Sequence, residues 1–408
     1  MSEDSKPSKF IEYLDSFHGK ELGFYEAYTL FNAIDRDYCL NQYGSVDYVG
    51  QTSLAHSRKR QPVSIPKRMK PSPLEIVEKT IEVGCIKTIE DIIDLIDKNP
   101  YEEGVRYNID LGLVSSIRPE LVKIGSMIGM NKLKCNVVEQ LLYFMQGFHE
   151  GVSPASPSGG GGGDFKHTVI YGPPGTGKTE VAKLIGQMYG KIGVLSKKNL
   201  FKKVTRNDLV AGYLGQTAIK TKAVITECLG GVLFIDEVYA LGNANDLDSF
   251  SRECIDTLCE ALSDHKDNLM VIVAGYEKEI DRHFFSANPG LESRFVWRFT
   301  IDKYTPIELR DIFVKKVASA GWKIDNEIAN SEWFVKHKEV FTNYGRDMER
   351  LFLYVKIAHS KRVFGQPAEM KRILTETDLT SGLDTFLENR KKDDSLKLKR
   401  DILTSMYV

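Results

Sequence analysis

The sequence predicts an α/β fold: a five-stranded parallel sheet with helices on both faces, followed by a separate all-α domain. Three observations carry that expectation. A short apolar run, Thr168–Tyr171, leads into a Gly-rich octet, Gly172–Thr179, and then into helical apolar spacing at Val181, Leu184, Ile185 and Met188. Four further apolar, β-rich runs (Leu200–Val204, Val232–Ile235, Leu269–Ala274 and Phe295–Ile301) alternate with helical stretches. Continuous apolar strands separated by helices read as a parallel sheet buried on both sides. From Thr305 to Glu388 the pattern turns helical.

At 408 residues the chain exceeds one typical core, and its composition divides it into five regions. Residues 1–71 are expected to be irregular and partly disordered, with an aromatic piece (Phe10–Asn41) and basic clusters at Ser57–Arg60 and Pro66–Pro71. No aromatics interleave with those charges, which favours a solvated linker over a nuclear address or a nucleic-acid contact. Residues 72–117 read as a small helical region. There Ile76, Val77, Ile81 and Val83, then Ile86, Ile89, Ile92, Ile93 and Ile96, suit two helices with a turn near Gly84.

Residues 118–303 hold the sheet. Within them Glu120–His149 is a helical stretch whose middle, Ser126–Met130, is compact and apolar enough to take a flat base; Ile128 and Gly129 are its candidate contacts. The run 151–163 contains five consecutive glycines with no strand before them and no Lys in register after them, so it reads as a flexible linker. Residues 304–388 form the helical domain, and 389–408 a charge-mixed, mobile tail.

The bulk numbers exclude several classes. Lys+Arg 55 against Asp+Glu 56 leaves no global field to recruit nucleic acid or a membrane surface. The start has no apolar segment of leader type, and no run reaches membrane-spanning length. Six scattered cysteines without a C-x-x-C pair read as reduced thiols of a cytoplasmic protein. Cys254 and Cys259, five apart on a helix, do not share a face, and no His pair has metal-ligand spacing.

Gly172-Pro-Pro-Gly-Thr-Gly-Lys-Thr179 fits G-x-x-x-x-G-K-[ST], between a strand and a helix. A polyphosphate needs several backbone N–H groups converging on its oxygens, and glycines at Gly172, Gly175 and Gly177 let the backbone come that close. Pro173, Pro174 and Thr176 complete the turn, and Glu180 opens the helix beyond it. Lys178 is placed to reach the β- and γ-phosphates and the Thr179 hydroxyl to ligate Mg²⁺. ATP with Mg²⁺ is the expected ligand.

The strand Val232–Ile235 ends in Asp236-Glu237. At the C-terminal end of a parallel strand both acids can reach the phosphate crevice. Asp236 is the candidate Mg²⁺ holder. Glu237 is the candidate for orienting and polarising the attacking water, since the loose transition state of phosphoryl transfer needs positioning more than a strong base.

Five motifs in order now resemble one family. They are the P-loop, Asp208–Thr221, Gly230–Glu237, Val271-Ile-Val-Ala-Gly-Tyr276, and Phe284–Phe295. Together they are similar to the AAA+ ATPases of the CbbX (red-type rubisco activase) and stage V sporulation protein K type, over residues 118–385, as a viral or bacterial branch. The resemblance implies a ring, usually a hexamer, with ATP at subunit interfaces and a partner protein drawn through a central pore. It implies that the helical domain is a lid. On matching positions it makes Lys178 and Thr179 the Walker A pair and Asp236 and Glu237 the Walker B pair. Tyr213-Leu214-Gly215 becomes the pore loop, Arg294 the arginine finger with Arg298 as the alternative, and Arg346 the second sensor. Two positions depart from the pattern. Tyr276 stands where many relatives carry a polar sensor, either serving that role or packing, and Ala211 replaces a Gly before the pore loop. Two rival functions remain: an ATPase acting on nucleic acid, supported locally only by residues 57–70, and an ATP-locked assembly scaffold.

Overall fold

The computed structural model describes residues 77–149, 163–213, 215–242, 249–325 and 331–406. The expected aromatic piece and basic clusters of residues 1–71, most of the Gly-rich linker, and Leu214 lie outside them.

Five parallel strands form the central sheet in the order Phe201–Val204, Val232–Asp236, Met270–Gly275, Thr168–Tyr171, Trp297–Thr300. The P-loop strand is therefore flanked on both sides, with Ile170 level with Ala274 on one side and Phe299 on the other. Successive strand residues point to opposite faces, and the apolar ones divide accordingly. Ile170, Phe234, Ile272 and Phe299 pack with the helix Lys178–Lys191 and with the helices Ile89–Lys98, Arg118–Gly125 and Asn131–Met145. Val169, Leu233, Ile235, Val271 and Val273 pack on the other face with Thr217–Cys228 and Ser249–Asp264. The three inner strands are buried on both faces, which is why they read as continuous apolar runs, whereas the edge strands Phe201–Val204 and Trp297–Thr300 keep Lys202, Lys203 and Arg298.

Two buried residues pin the start of the P-loop strand. The Val271 N–H donates to His167 Nδ1 at 3.1 Å, which leaves Nε2 protonated and donating to the Leu262 carbonyl at 3.0 Å. The Lys166 ammonium donates to the carbonyls of Lys266 (2.8 Å) and Asp267 (3.0 Å).

The structure departs from the sequence reading in four places. Of the segment read as two helices between Pro73 and Asp97, the described residues from Val77 on hold one helix, Ile89–Lys98; Val77–Lys79 is instead a strand paired in parallel with Val105–Tyr107. Ile81 is buried but Val77 and Val83 are exposed, so the apolar count there marks no helical face. The stretch Glu120–His149 is broken by left-handed backbone at Gly129 (φ 68°) and Met130 (φ 58°) into two helices. The region after Thr305 is not wholly helical: Lys323–Ile324 and Ile373–Leu374 form a short parallel pair. Finally, the tail expected to be mobile is helical as far as Met406, because Glu376–Met406 runs on into it.

The helical domain has its own core, built on Phe313, Phe334, Phe341, Met348, Leu351, Leu383 and Phe386. Its first helix, Pro306–Ser319, starts with a full capping box: Thr305 Oγ1 accepts from the Glu308 N–H, and the Glu308 carboxylate accepts from the Thr305 N–H at 2.7 Å. Among the described residues no helix is long and apolar enough to cross a membrane.

Candidate active site

The loop after Thr168–Tyr171 turns on two glycines in the left-handed region, Gly175 (φ 75°) and Gly177 (φ 89°), conformations that a side chain would strain. Gly177 caps the helix Lys178–Lys191, so the positive helix end opens onto the loop. The Lys178 ammonium is buried and folds back to donate to the Gly172 and Pro173 carbonyls, both at 2.8 Å. Burial pushes it below its ordinary value, and Asp236 and Glu237 oppose that shift, while Arg346 and Lys203 add to it. Those four charges thus converge on one ammonium from three separate elements.

The helical domain closes directly over this loop. The Gly345 N–H, at the start of Gly345–Arg362, donates to the Gly175 carbonyl at 3.1 Å. A Cβ on Gly175 would lie 2.2 Å from the Asn343 carbonyl oxygen. The Tyr304 hydroxyl donates to the Thr176 carbonyl at 3.1 Å, and burial pushes that phenol up to about 12. Beside the loop lies a cavity of about 630 Å³ lined by Ile128, Met130, Gly177, Glu180, Tyr304 and Arg346 among others. The break at Gly129 and Met130 therefore brings one of the two predicted base contacts, Ile128, to the cavity beside the P-loop, while Gly129 does not line it. Gly129 itself packs so tightly that a Cβ there would meet the Glu308 carboxylate at 2.6 Å. Lysines hold this segment from two sides: Lys134 Nζ donates to Met127 O at 2.6 Å and Lys315 Nζ to Ser126 O at 2.6 Å.

Asp236 ends its strand half-buried and accepts from Lys203 Nζ at 2.6 Å. Glu237 follows in the left-handed region and accepts a hydrogen bond from the Tyr239 hydroxyl. Tyr276 lies in the same crevice: with Gly172, Pro173, Tyr239 and Tyr344 it lines a second cavity of about 930 Å³. Its phenol is raised by burial and then by the charge of Glu237.

The residues present fit Mg-ATP. A loop whose glycines carry no side chain, an ammonium and a helix N-terminus suit phosphate oxygens, and a hydroxyl with a carboxylate is a hard oxygen set of the kind Mg²⁺ takes. Thr179 and Asp236 would hold that ion.

Not every predicted residue meets there. Arg294 donates from Nε to Ser263 Oγ (2.7 Å) and from Nη1 to the Gly290 carbonyl (2.5 Å). Arg298 pairs with Glu292 at 3.0 Å and lies over the Phe285 ring at 5.3 Å. Neither lines the two cavities beside the P-loop of its own chain. Tyr213 stands apart, 74% exposed, between Gly212 and Gly215 on the loop before Thr217–Cys228. Residues missed in the sequence include Lys203, Tyr239 and Tyr304. Only Tyr239 gave a local signal, a hydroxyl two residues after Glu237.

The family model described as ATPase family associated with various cellular activities (AAA) matches residues 168–298. A CfxQ-like protein of Acanthamoeba polyphaga mimivirus is 38% identical over 288 residues, covering 70% of this chain and 68% of that protein. Stage V sporulation protein K of Bacillus subtilis is 36% identical over 225 residues, 55% of this chain and 66% of its own length. The ESX-1 secretion system protein EccA1 of Mycobacterium tuberculosis is 36% identical over 231 residues, 55% of this chain but 38% of its own length. The chain thus spans about two thirds of the first two relatives and well under half of the third. Among solved structures, the FIGL-1 AAA domain in complex with ADP aligns with a TM-score of 0.46 at 20% identity, over 64% of this chain and 83% of that one, a likeness too low to bear on the site.

Proposed function

The chain belongs to the AAA family of ATPases and is an ATP hydrolase, and from that premise we propose that it couples Mg-ATP hydrolysis to remodelling or threading of a partner protein through the central pore of a ring. The ring would be a hexamer working in the cytoplasm, and the residues before the sheet would choose or hold the partner.

Binding of ATP exchanges the Lys178 contacts to Gly172 and Pro173 for contacts to phosphate oxygens. Mg²⁺, held by Thr179 and Asp236, supplies charge neutralisation at the β- and γ-phosphates when bound. Glu237 orients the attacking water through its carboxylate. Arg346 brings the helical domain to the phosphates, and Gly345 already links that domain to the loop, so loss of the γ-phosphate is felt directly by the lid. Arg294 of a neighbouring copy stabilises charge developing on the transferred group, after leaving Ser263 and Gly290.

Tyr213 carries the remodelling reading. An aromatic side chain largely exposed to solvent between two glycines is a sequence-tolerant grip on a polypeptide. The test is a trap. Glu237→Gln, loaded with ATP and recovered from native extract with and without nuclease, retains a specific protein that is lost when Tyr213→Ala is added. Nuclease-sensitive nucleic acid in its place would make this a nucleic-acid motor, and a loaded protein that holds nothing would make it a scaffold.

A further inference from the structure

Glu237 does not project freely from the end of its strand. Its backbone is left-handed (φ 54°, ψ 45°), which few residues other than glycine adopt. Its Oε2 accepts a hydrogen bond from the Tyr239 hydroxyl. The Tyr239 ring is seated independently of that bond. It is half-buried against the apolar cluster beneath the sheet. Its Cδ1 lies 2.9 Å from where a Cβ on Gly275 would stand, so the absence of a side chain at Gly275 makes the notch it occupies. The Tyr276 ring sits alongside at 6.3 Å. A donor fixed by packing therefore ends on one oxygen of Glu237. A carboxylate offers two oxygens, each able to accept, so Oε1 stays available while Oε2 is held.

We propose that Tyr239 is a positioning residue for ATP hydrolysis: its hydroxyl holds Glu237 by Oε2 so that Oε1 faces the attacking water. This rests on the reading of Glu237 as the water-orienting group. A free glutamate samples several rotamers, and a second tether removes most of them before substrate arrives. It also gives Gly275 a task, since any side chain there would evict the ring.

The test compares full-length Tyr239→Phe, Glu237→Gln and the double variant in steady-state and single-turnover hydrolysis. A fluorescent ATP analogue measures affinity separately. Phe keeps the ring in its notch and removes only the hydroxyl. Tyr239→Phe should lower kcat by about 10- to 100-fold, the scale of one hydrogen bond to a charged group. KM, analogue affinity and Tm should hold within about 2-fold or a degree or two. In the Glu237→Gln background the same change should have no further effect. An unchanged or raised kcat in Tyr239→Phe would overturn the proposal, as would an equal loss in both backgrounds. A Glu237→Gln variant that hydrolyses ATP at the unaltered rate refutes the reading of Glu237 instead, whatever Tyr239→Phe does; the double variant is read against the residual single-turnover rate that Glu237→Gln leaves.

Discussion

His167 makes the strand that feeds the P-loop sensitive to acid. The ring is fully buried, accepts from Val271 N–H and donates to Leu262 O, and lies 5.8 Å from the Phe295 ring. Protonation at Nδ1 would break the first bond and place a charge in a dry site. Burial accordingly pushes its pKa from 6.5 down to about 4. In the unfolded chain the imidazole takes a proton near its ordinary value, so the unfolded state binds more protons between those two pH values. Stability from this group is complete above pH 6.5 and falls as the pH drops toward 4. At about 1.4 kcal/mol per pH unit, the loss totals about 3 kcal/mol. Urea unfolding at pH 7.5, 6.5, 5.5 and 4.5 should show it, with His167→Gln as the control. Gln can still donate and accept but does not titrate. The variant should be less stable at pH 7.5, and its stability should fall less steeply below pH 6.5, by about 1.4 kcal/mol per unit. Parallel slopes for the two proteins would refute the reasoning.

Lys178→Ala removes the only ammonium inside the loop and should weaken binding of a fluorescent ATP analogue by at least about 100-fold, the scale of charge-assisted hydrogen bonds. Gly345→Ala would put a Cβ 2.6 Å from the Gly175 carbonyl oxygen and lever the helical domain off the loop. The same substitution favours the helix itself by up to about 1 kcal/mol, so the analogue should bind about 10-fold more weakly without loss of Tm. An unchanged affinity would separate the lid from the nucleotide site. Asp378 is buried in the helical domain; although burial opposes it, hydrogen bonds from Arg362, His359 and Thr375 hold its carboxyl well below the usual range. Its contribution is present above its unfolded value and is lost as the pH falls below that. Asp378→Asn should cost about 3 kcal/mol, read from the fluorescence of Trp322 and Trp333 in the same domain.

The sequence alone located the motifs that lie in short, contiguous runs. The glycines and Lys178 of the loop and the adjacent acids Asp236 and Glu237 are each set by neighbours within a few residues. Five motifs in order also pointed to the family that the mimiviral and Bacillus relatives bear out. What depends on segments far apart in the chain was not legible. Apolar residues near Val77 looked helical because spacing cannot report a strand partner at Val105. The helix expected through Glu120–His149 gave way at Gly129 and Met130, where lysines from two helices capture the carbonyls of Ser126 and Met127. Tertiary structure also set Lys203 on Asp236, Tyr304 on Thr176, and the Tyr239 ring in the notch at Gly275. Strand order decided these, because it fixes which side chains share an edge, and strand order follows from packing both faces of one sheet rather than from any local pattern.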